Sequence, residues 1–306
     1  MFNLKYILSV LFVCFLININ LMAQNDSSNA SPVFVQDASR FKLHFEKGDT
    51  LIYNLYSLDS IIIDFGKPLI KTRNEKIRIV CDSSINGIFY LSQQLIDFNS
   101  KEHLTKEEPV DVMTNPWLNR KVYYSIDSVG KRYSIGVDDS SKAALCPGGA
   151  FQPFLFFPFD VDIASTNHTW IVESNIKLPE NGIPPSFIRE TRLMKYLSTL
   201  DTIGEKCARL QFINTGQGGI MLDAGEDKIN LSSVINGHGT YDISLKNCIP
   251  VHFFVGVELK LTLTFSDDVK KPGSQYINSY FTLVDYKHKE SEALQEKPQK
   301  IKKKKK

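Results

Sequence analysis

The pattern of apolar and polar positions in residues 41–284 predicts an all-β protein. Apolar residues alternate with polar ones over short runs, and Gly, Asn, Asp and Ser bound many of these runs, which is typical of strands with one buried face. No long stretch keeps the three-four spacing of an amphipathic helix. The predicted strands include residues 41–46, 206–214 and 219–223. We therefore expect one or more antiparallel sheets.

Two turns indicate an internal repeat. Asn86-Gly87 is the pair that tight hairpins prefer, and the turn ending at Gly204 is similar to it. The residues that match in order are Tyr53, Arg73 and Gly87 in the first half and Trp170, Arg192 and Gly204 in the second. The pattern predicts two repeated, curved halves, half-barrel or sandwich-like in form. Chance likeness between short strands is the alternative.

Changes of composition divide the 306 residues into six segments. With 42% hydrophobic residues, the chain can bury the core of one large or two modest domains. The predicted segments are a signal peptide (1–23), a disordered linker (24–39), a first β half (40–137), a Phe/Pro-rich connector (138–166), a second β half (167–286) and a Lys-rich disordered tail (287–306).

The N-terminus is typical of an export signal. Lys5 precedes a mostly apolar run, and Ala23 supplies the small residue that signal peptidase requires. We expect cleavage after Ala23 and export to the periplasm, the outer envelope or the extracellular space. An uncleaved membrane anchor is disfavoured because the apolar run is shorter than about 20 residues. A lipoprotein acylated at Cys14 is disfavoured because Val13 is not small.

Four cysteines remain after such a cleavage: Cys81, Cys146, Cys207 and Cys248. In an oxidising compartment an even number favours disulfides, and we predict a Cys207–Cys248 bond because both residues lie in the second half. Four buried free thiols are the alternative. Neither the cysteine spacings nor the scattered histidines resemble a metal site, so no metal is predicted.

Charge is distributed unevenly. The chain carries +2 overall, while residues 287–306 contain nine Lys and three Glu, so the rest is acidic. The five final lysines, the first Lys302 and the last Lys306, predict a disordered tail that is either attracted to an anionic membrane surface or merely solvated. Export and the acidic body argue against nucleic acid as a partner.

The connector contains the most unusual composition of the chain. Its aromatic residues are Phe151, Phe154, Phe156, Phe157 and Phe159, and Pro153 and Pro158 exclude a regular helix or central strand. So many rings outside regular structure either pack as core or form an exposed surface that binds an apolar ligand. In the second case these residues and Trp170 are the expected ligand-binding residues.

Catalytic motifs are missing from the sequence. It contains no G-x-S-x-G, P-loop, H-E-x-x-H or dinucleotide-binding pattern, and we predict no enzyme and no cofactor. The 34 acidic residues still leave room for a hydrolase with two dispersed carboxylates.

Several weak motifs together resemble an uncharacterised family of secreted bacterial all-β proteins. They are residues 157–161, Asn167-His168-Thr169-Trp170, the Arg192 strand, the turn from Asp201 to Gly204 with Cys207-Ala208, and residues 237–242. Asn167-His168 stands where the family has Gly-Asp. This family is similar in pattern to periplasmic lipoprotein-carrier half-barrels, which implies a curved sheet with an apolar concave face.

Two functions follow as hypotheses. The first is a non-catalytic envelope protein that binds a lipid or other apolar ligand in a curved sheet. The second is a structural or interaction protein of the envelope, with protein partners and no small-molecule ligand.

Overall fold

The structure, a computed structural model, describes residues 41–138, 154–159, 168–177, 187–224 and 227–288. The predicted signal peptide, the linker, most of the connector with Phe151, Cys146 and the lysines of the tail beyond residue 288 lie outside these ranges.

The described chain is all-β, as the alternating pattern predicts. Its inward positions are apolar and its outward ones polar over much of each strand; in the first strand Leu51, Tyr53 and Leu55 are buried, whereas Asn54 and Tyr56 are exposed. The strands are β1 (Thr50–Ile63), β2 (Leu69–Ile85), β3 (Ile88–Leu104), β4 (Val110–Val112), β5 (Lys121–Asp127), β6 (Arg132–Val137), β7 (Thr169–Lys177), β8 (Phe187–Thr202), β9 (Glu205–Ala224), β10 (Asp227–Ser244), β11 (Pro250–Thr264) and β12 (Lys270–Lys287).

All of these strands belong to one antiparallel sheet. Its order is β6-β5-β3-β2-β1-β12-β11-β10-β9-β8-β7, and the short β4 pairs with β3. The two halves predicted from the sequence are thus continuous, because β1 pairs with β12 over the length of both strands. The sheet is open, with β6 and β7 as its edges among the described residues.

The sheet curls strongly around its core. In a flat sheet, six strand spacings of about 4.8 Å would place β5 about 29 Å from β10. Yet Phe154 packs on Tyr124 of β5 and Phe157 packs on Tyr241 of β10, each with ring centroids 5.0 Å apart. Since the three residue steps between these phenylalanines span at most about 11 Å, the two halves must face each other.

The two predicted hairpin turns have the same backbone conformation. In Asn86-Gly87 and Ile203-Gly204 both residues have positive φ, 52° and 75° in the first pair and 49° and 74° in the second. This is the primed turn that suits two-residue hairpins. Asn and Gly adopt it at little cost, whereas a β-branched residue such as Ile203 adopts it only with strain.

Ile203 therefore stores strain that a single substitution should release. With 54% of its surface exposed it contributes little packing, and the left-handed conformation costs about 1 kcal/mol or more for such a residue. We expect Ile203→Asn to raise the free energy of unfolding by about 1 kcal/mol. Chemical denaturation measures this change. The reciprocal Asn86→Ile should destabilise by a similar amount, and equal stability of all three proteins would contradict the argument.

Several strands are longer than the sequence suggests. The predicted strands 206–214 and 219–223 are parts of the single strand β9, so that Gly216-Gln217-Gly218-Gly219 between them is also strand. The glycines leave room for neighbouring side chains, because a Cβ on Gly216 would lie 2.9 Å from Cγ of Glu190. Residues 41–46, predicted as a strand, are not part of any strand of the described sheet, but Phe41, Leu43 and Phe45 are buried in the core.

Candidate functional site

The described part of the connector, residues 154–159, lies inside the curled sheet. Phe156 and Phe157 are 1% and 2% exposed, and Phe154, Leu155 and Phe159 are also buried. The Phe157 backbone approaches Gly130 so closely that a Cβ there would lie 2.2 Å from the Phe157 carbonyl oxygen. The described part of the connector is therefore core. The use of these rings for a ligand, as proposed from the sequence, stays a prediction.

A buried polar cluster, here the Arg73 cluster, lies on the inner face of β12, β1 and β2. The Arg73 guanidinium contacts Asp59 Oδ2 at 3.0 Å and Glu75 Oε1 at 3.1 Å. It also donates a hydrogen bond to Ser57 Oγ at 3.2 Å, and this hydroxyl lies 2.8 Å from Ser279 Oγ. The three charged side chains are no more than 12% exposed. Breaking these contacts would leave buried charges without partners.

A second polar cluster, the Arg192 cluster, lies on the inner face of β8 and β9. Arg192 Nη2 donates to Glu190 Oε2 at 2.7 Å, and Asn214 Nδ2 donates to Glu190 Oε1 at 3.2 Å. The Arg192 guanidinium also lies 4.1 Å from the centre of the Phe157 ring. This cation–π contact joins the cluster to the connector. Thus the two arginines matched in the predicted repeat, Arg73 and Arg192, both face inward and pair with a glutamate two residues away.

Three polar atoms of these clusters are buried without a hydrogen-bond partner. They are Arg73 Nε, Arg192 Nε and Asn214 Oδ1. Buried polar groups in native proteins are nearly always satisfied, so each such atom requires an explanation. An ordered water or a polar group of a ligand beside each of these atoms would satisfy it.

A separate apolar cluster, the upper cluster, lies beyond the polar clusters on the inner face. It is formed by Ile188, Ile220, Ile235, Leu259, Leu261 and Ile277. Two partly buried residues pack against it, Ile63 on β1 near the middle of the sheet order and Ile135 on the edge strand β6. Along β1 the inward side chains are apolar at Leu51 to Leu55, polar at Ser57 and Asp59, and apolar again at Ile63. The polar layer thus separates two apolar layers.

Burial changes the protonation of groups on the inner face. It raises the pKa of Glu75, while the nearby Arg73 acts in the opposite direction. It also raises the pKa of Tyr53 and of Tyr241 well above the usual value, so both phenols stay neutral. Tyr241 Oη donates to the Leu155 carbonyl and Tyr53 Oη donates to the Pro250 carbonyl. The first hydrogen bond thus connects the connector to β10, and the second connects β1 to β11.

Trp170 occupies a different environment from the connector phenylalanines. It is half-buried at the edge of the main core and stacks on His168, with ring centroids 5.9 Å apart. Its indole Nε1 is buried without a hydrogen-bond partner. The structure thus places Phe154, Phe156, Phe157 and Phe159 together in the interior, with Trp170 beside the same core.

The predicted Cys207–Cys248 disulfide is wrong for this structure. Cys81, Cys207 and Cys248 are buried free thiols. Cys207 lies on β9 with its Sγ 3.8 Å from the Glu205 carbonyl oxygen, whereas Cys248 lies in the β10–β11 turn at a positive φ of 54°. Burial raises the pKa of Cys81 to about 12 and that of the other two thiols to about 11. The thiols are therefore protonated and chemically unreactive at neutral pH.

The described residues contain neither a cluster of metal ligands nor a membrane-spanning helix. In these residues, no three His, Cys, Asp or Glu side chains are grouped as metal ligands would be. None of the described segments forms a helix long and apolar enough to cross a membrane.

Comparison with known proteins gives only distant similarity. No protein-family model matches the chain, and no curated protein matches it. A Bacteroides fragilis protein, inferred to be exported and with a YmcC-like fold, is similar at 10% identity, covering 81% of this chain and 99% of its own, with a TM-score of 0.26. A loop L8 deletion mutant of OmpT, an outer membrane protein of Vibrio cholerae, is similar at 6% identity, covering 78% and 100%, with a TM-score of 0.17. At such TM-scores the function must be argued from the chain's own geometry.

Proposed function

We propose that the protein is a non-catalytic, exported protein of the bacterial cell envelope that holds an amphiphilic ligand on the inner face of its curled sheet. The observation that supports this proposal is the set of three unpartnered buried atoms, Arg73 Nε, Arg192 Nε and Asn214 Oδ1. They lie on the same face as the upper cluster, so this face offers both polar and apolar contacts.

The ligand in this proposal is an acyl chain with a hydrogen-bonding head group. The head group would accept hydrogen bonds from the two arginines and donate one to Asn214, and the chain would lie along the isoleucines and leucines of the upper cluster. Each arginine is already paired with at least one carboxylate, so a neutral or zwitterionic head group fits better than a strongly anionic one. The lysines from Lys302 to Lys306 would add attraction to an anionic membrane surface.

A structural or interaction protein without a ligand is the second candidate. Burial of the connector favours it, because Phe156 and Phe157 fill the part of the interior where a carrier would hold its cargo. Waters would then satisfy the three unpartnered atoms.

Native mass spectrometry of residues 24–306, exported to a periplasm and purified without detergent, separates the two candidates. A mass excess that is released on denaturation would support the amphiphile, and its mass would give the ligand class. Arg192→Gln should then lower the ligand occupancy, whereas Lys271→Gln, in the exposed pair with Asp64, should not. The mass of the bare chain would contradict ligand binding and favour the structural protein.

A further inference from the structure

The outer face of the sheet carries a row of aromatic side chains across three adjacent strands. Tyr56 on β1 lies opposite Tyr280 on β12, and Phe254 on β11 lies opposite Tyr280 on its other side. Their ring centroids are 6.2 Å and 4.8 Å apart. Tyr56 and Tyr280 are 43% and 49% exposed. The row is therefore a continuous apolar strip that is open to solvent.

Polar side chains flank this strip and complete a shallow groove of 380 Å³. Asn74 lies opposite Tyr56 on β2, and Asn54 and Thr282 occupy the adjacent positions on β1 and β12. Both asparagines are exposed, and within the described residues neither side-chain amide has a hydrogen-bond partner. Two exposed amides thus offer donors and acceptors beside two aromatic faces.

The charges of the groove cancel. Lys76 and Asp97 both line it and lie opposite each other on β2 and β3. Glu75 also borders the groove, but its carboxylate is buried on the inner face, where it pairs with Arg73. A phosphate, a nucleic acid or a strongly charged peptide would find no net opposite charge here. An uncharged ligand with one apolar face and many hydroxyl groups would match both the rings and the amides.

We propose that this groove binds a neutral saccharide. The C–H face of a sugar ring packs on the Tyr56 and Tyr280 rings, and its hydroxyl groups exchange hydrogen bonds with Asn54 and Asn74. Adjacent strands lie about 4.8 Å apart, so the two rings that line the groove, Tyr56 and Tyr280, support two successive units of a linear chain. This surface is on the opposite side of the sheet from the proposed amphiphile site. The two proposals are therefore independent, and failure of one would not contradict the other.

Titration with neutral oligosaccharides tests the proposal. The probes are hexamers of β-1,4-linked glucose, N-acetylglucosamine, mannose and xylose and of α-1,4-linked glucose, added to the exported protein and followed by calorimetry and by ligand-observed NMR. We expect at least one hexamer to bind with a dissociation constant between micromolar and millimolar, and Tyr280→Ala to weaken this binding about tenfold or more.

Tyr276→Ala is the matched control. Tyr276 lies on the same strand and is 47% exposed, but it does not line the groove. It should leave binding unchanged, as should Tyr280→Phe, which keeps the ring. Asn74→Ala should weaken binding without removing the aromatic strip. Far-ultraviolet circular dichroism and thermal unfolding check that every variant folds.

Three outcomes would overturn the proposal. One is that no hexamer binds, and another is that Tyr276→Ala weakens binding as much as Tyr280→Ala. The third is that analytical ultracentrifugation detects a dimer that Tyr280→Ala dissociates, because the strip would then join two copies of this chain.

Discussion

Replacing Phe157 by alanine is expected to lower the free energy of unfolding by about 3–5 kcal/mol, a large part of the stability of a typical domain. The ring packs against Phe212, Tyr241 and Phe253 on three neighbouring strands, with centroids 5.8, 5.0 and 5.3 Å away. It also lies under the Arg192 guanidinium. The substitution creates a cavity and removes this cation–π contact at the same time.

Phe65→Ala is the control for this prediction. Phe65 is 87% exposed, so its truncation should change stability by less than about 0.5 kcal/mol. Urea denaturation, followed by tryptophan fluorescence and circular dichroism, measures both variants. Similar small losses in the two variants would mean that the connector is not part of the core.

The result also bears on the proposed function. A connector that moves aside to admit a ligand must detach at low cost, whereas the contacts of Phe157 and the hydrogen bond from Tyr241 to the Leu155 carbonyl resist detachment. A large loss of stability in Phe157→Ala therefore directs the search for an amphiphile to the polar clusters and the upper cluster. A small loss would return attention to the connector phenylalanines.

Sequence alternation predicted the fold class because half-buried strands leave a clear pattern. It placed the hairpin turns at Asn86-Gly87 and at Gly204 correctly, since positive φ restricts the residues that can stand there. It predicted two strands where the structure has only β9, because glycines such as those at positions 216–219 are typical of loops in general. Only the tertiary structure shows that Glu190 and Phe187 occupy the space that these glycines leave.

The polar clusters of the inner face were missed for a different reason. Alternation assigns charged residues to the outer face, whereas Ser57 and Asp59 on β1 and Arg73 and Glu75 on β2 continue the inward positions of strands that begin or end apolar. Their spacing of two was visible in the sequence. The pairing of β1 with β2, which brings Arg73 opposite Ser57, was not. The predicted repeat did match Arg73 with Arg192, but it did not predict that they form buried ion pairs.

Arg73→Met should lower the free energy of unfolding by about 3–5 kcal/mol at neutral pH. Arg73 is the cation that contacts both Asp59 and Glu75, and these carboxylates are only 5% and 7% exposed. Methionine keeps much of the side-chain volume, so the loss reports the two buried charges left without a partner. Lys271→Met, in an exposed pair with Asp64, should cost less than about 1 kcal/mol. Chemical denaturation of both variants at pH 7 tests the contrast.

The pH dependence of this loss identifies its electrostatic origin. Burial already raises the pKa of Glu75, and Arg73 opposes that effect, so removal of Arg73 raises this pKa further. A carboxyl whose folded pKa is raised contributes stability below its unfolded pKa and loses it as the pH rises through the folded pKa. The difference in the free energy of unfolding between Arg73→Met and the wild type should therefore shrink when denaturation is repeated at acid pH.

Adding Asp59→Asn and Glu75→Gln to Arg73→Met should recover part of the loss at pH 7. A deficit that is equal at both pH values, with no recovery in the triple variant, would mean that packing and not charge makes Arg73 important.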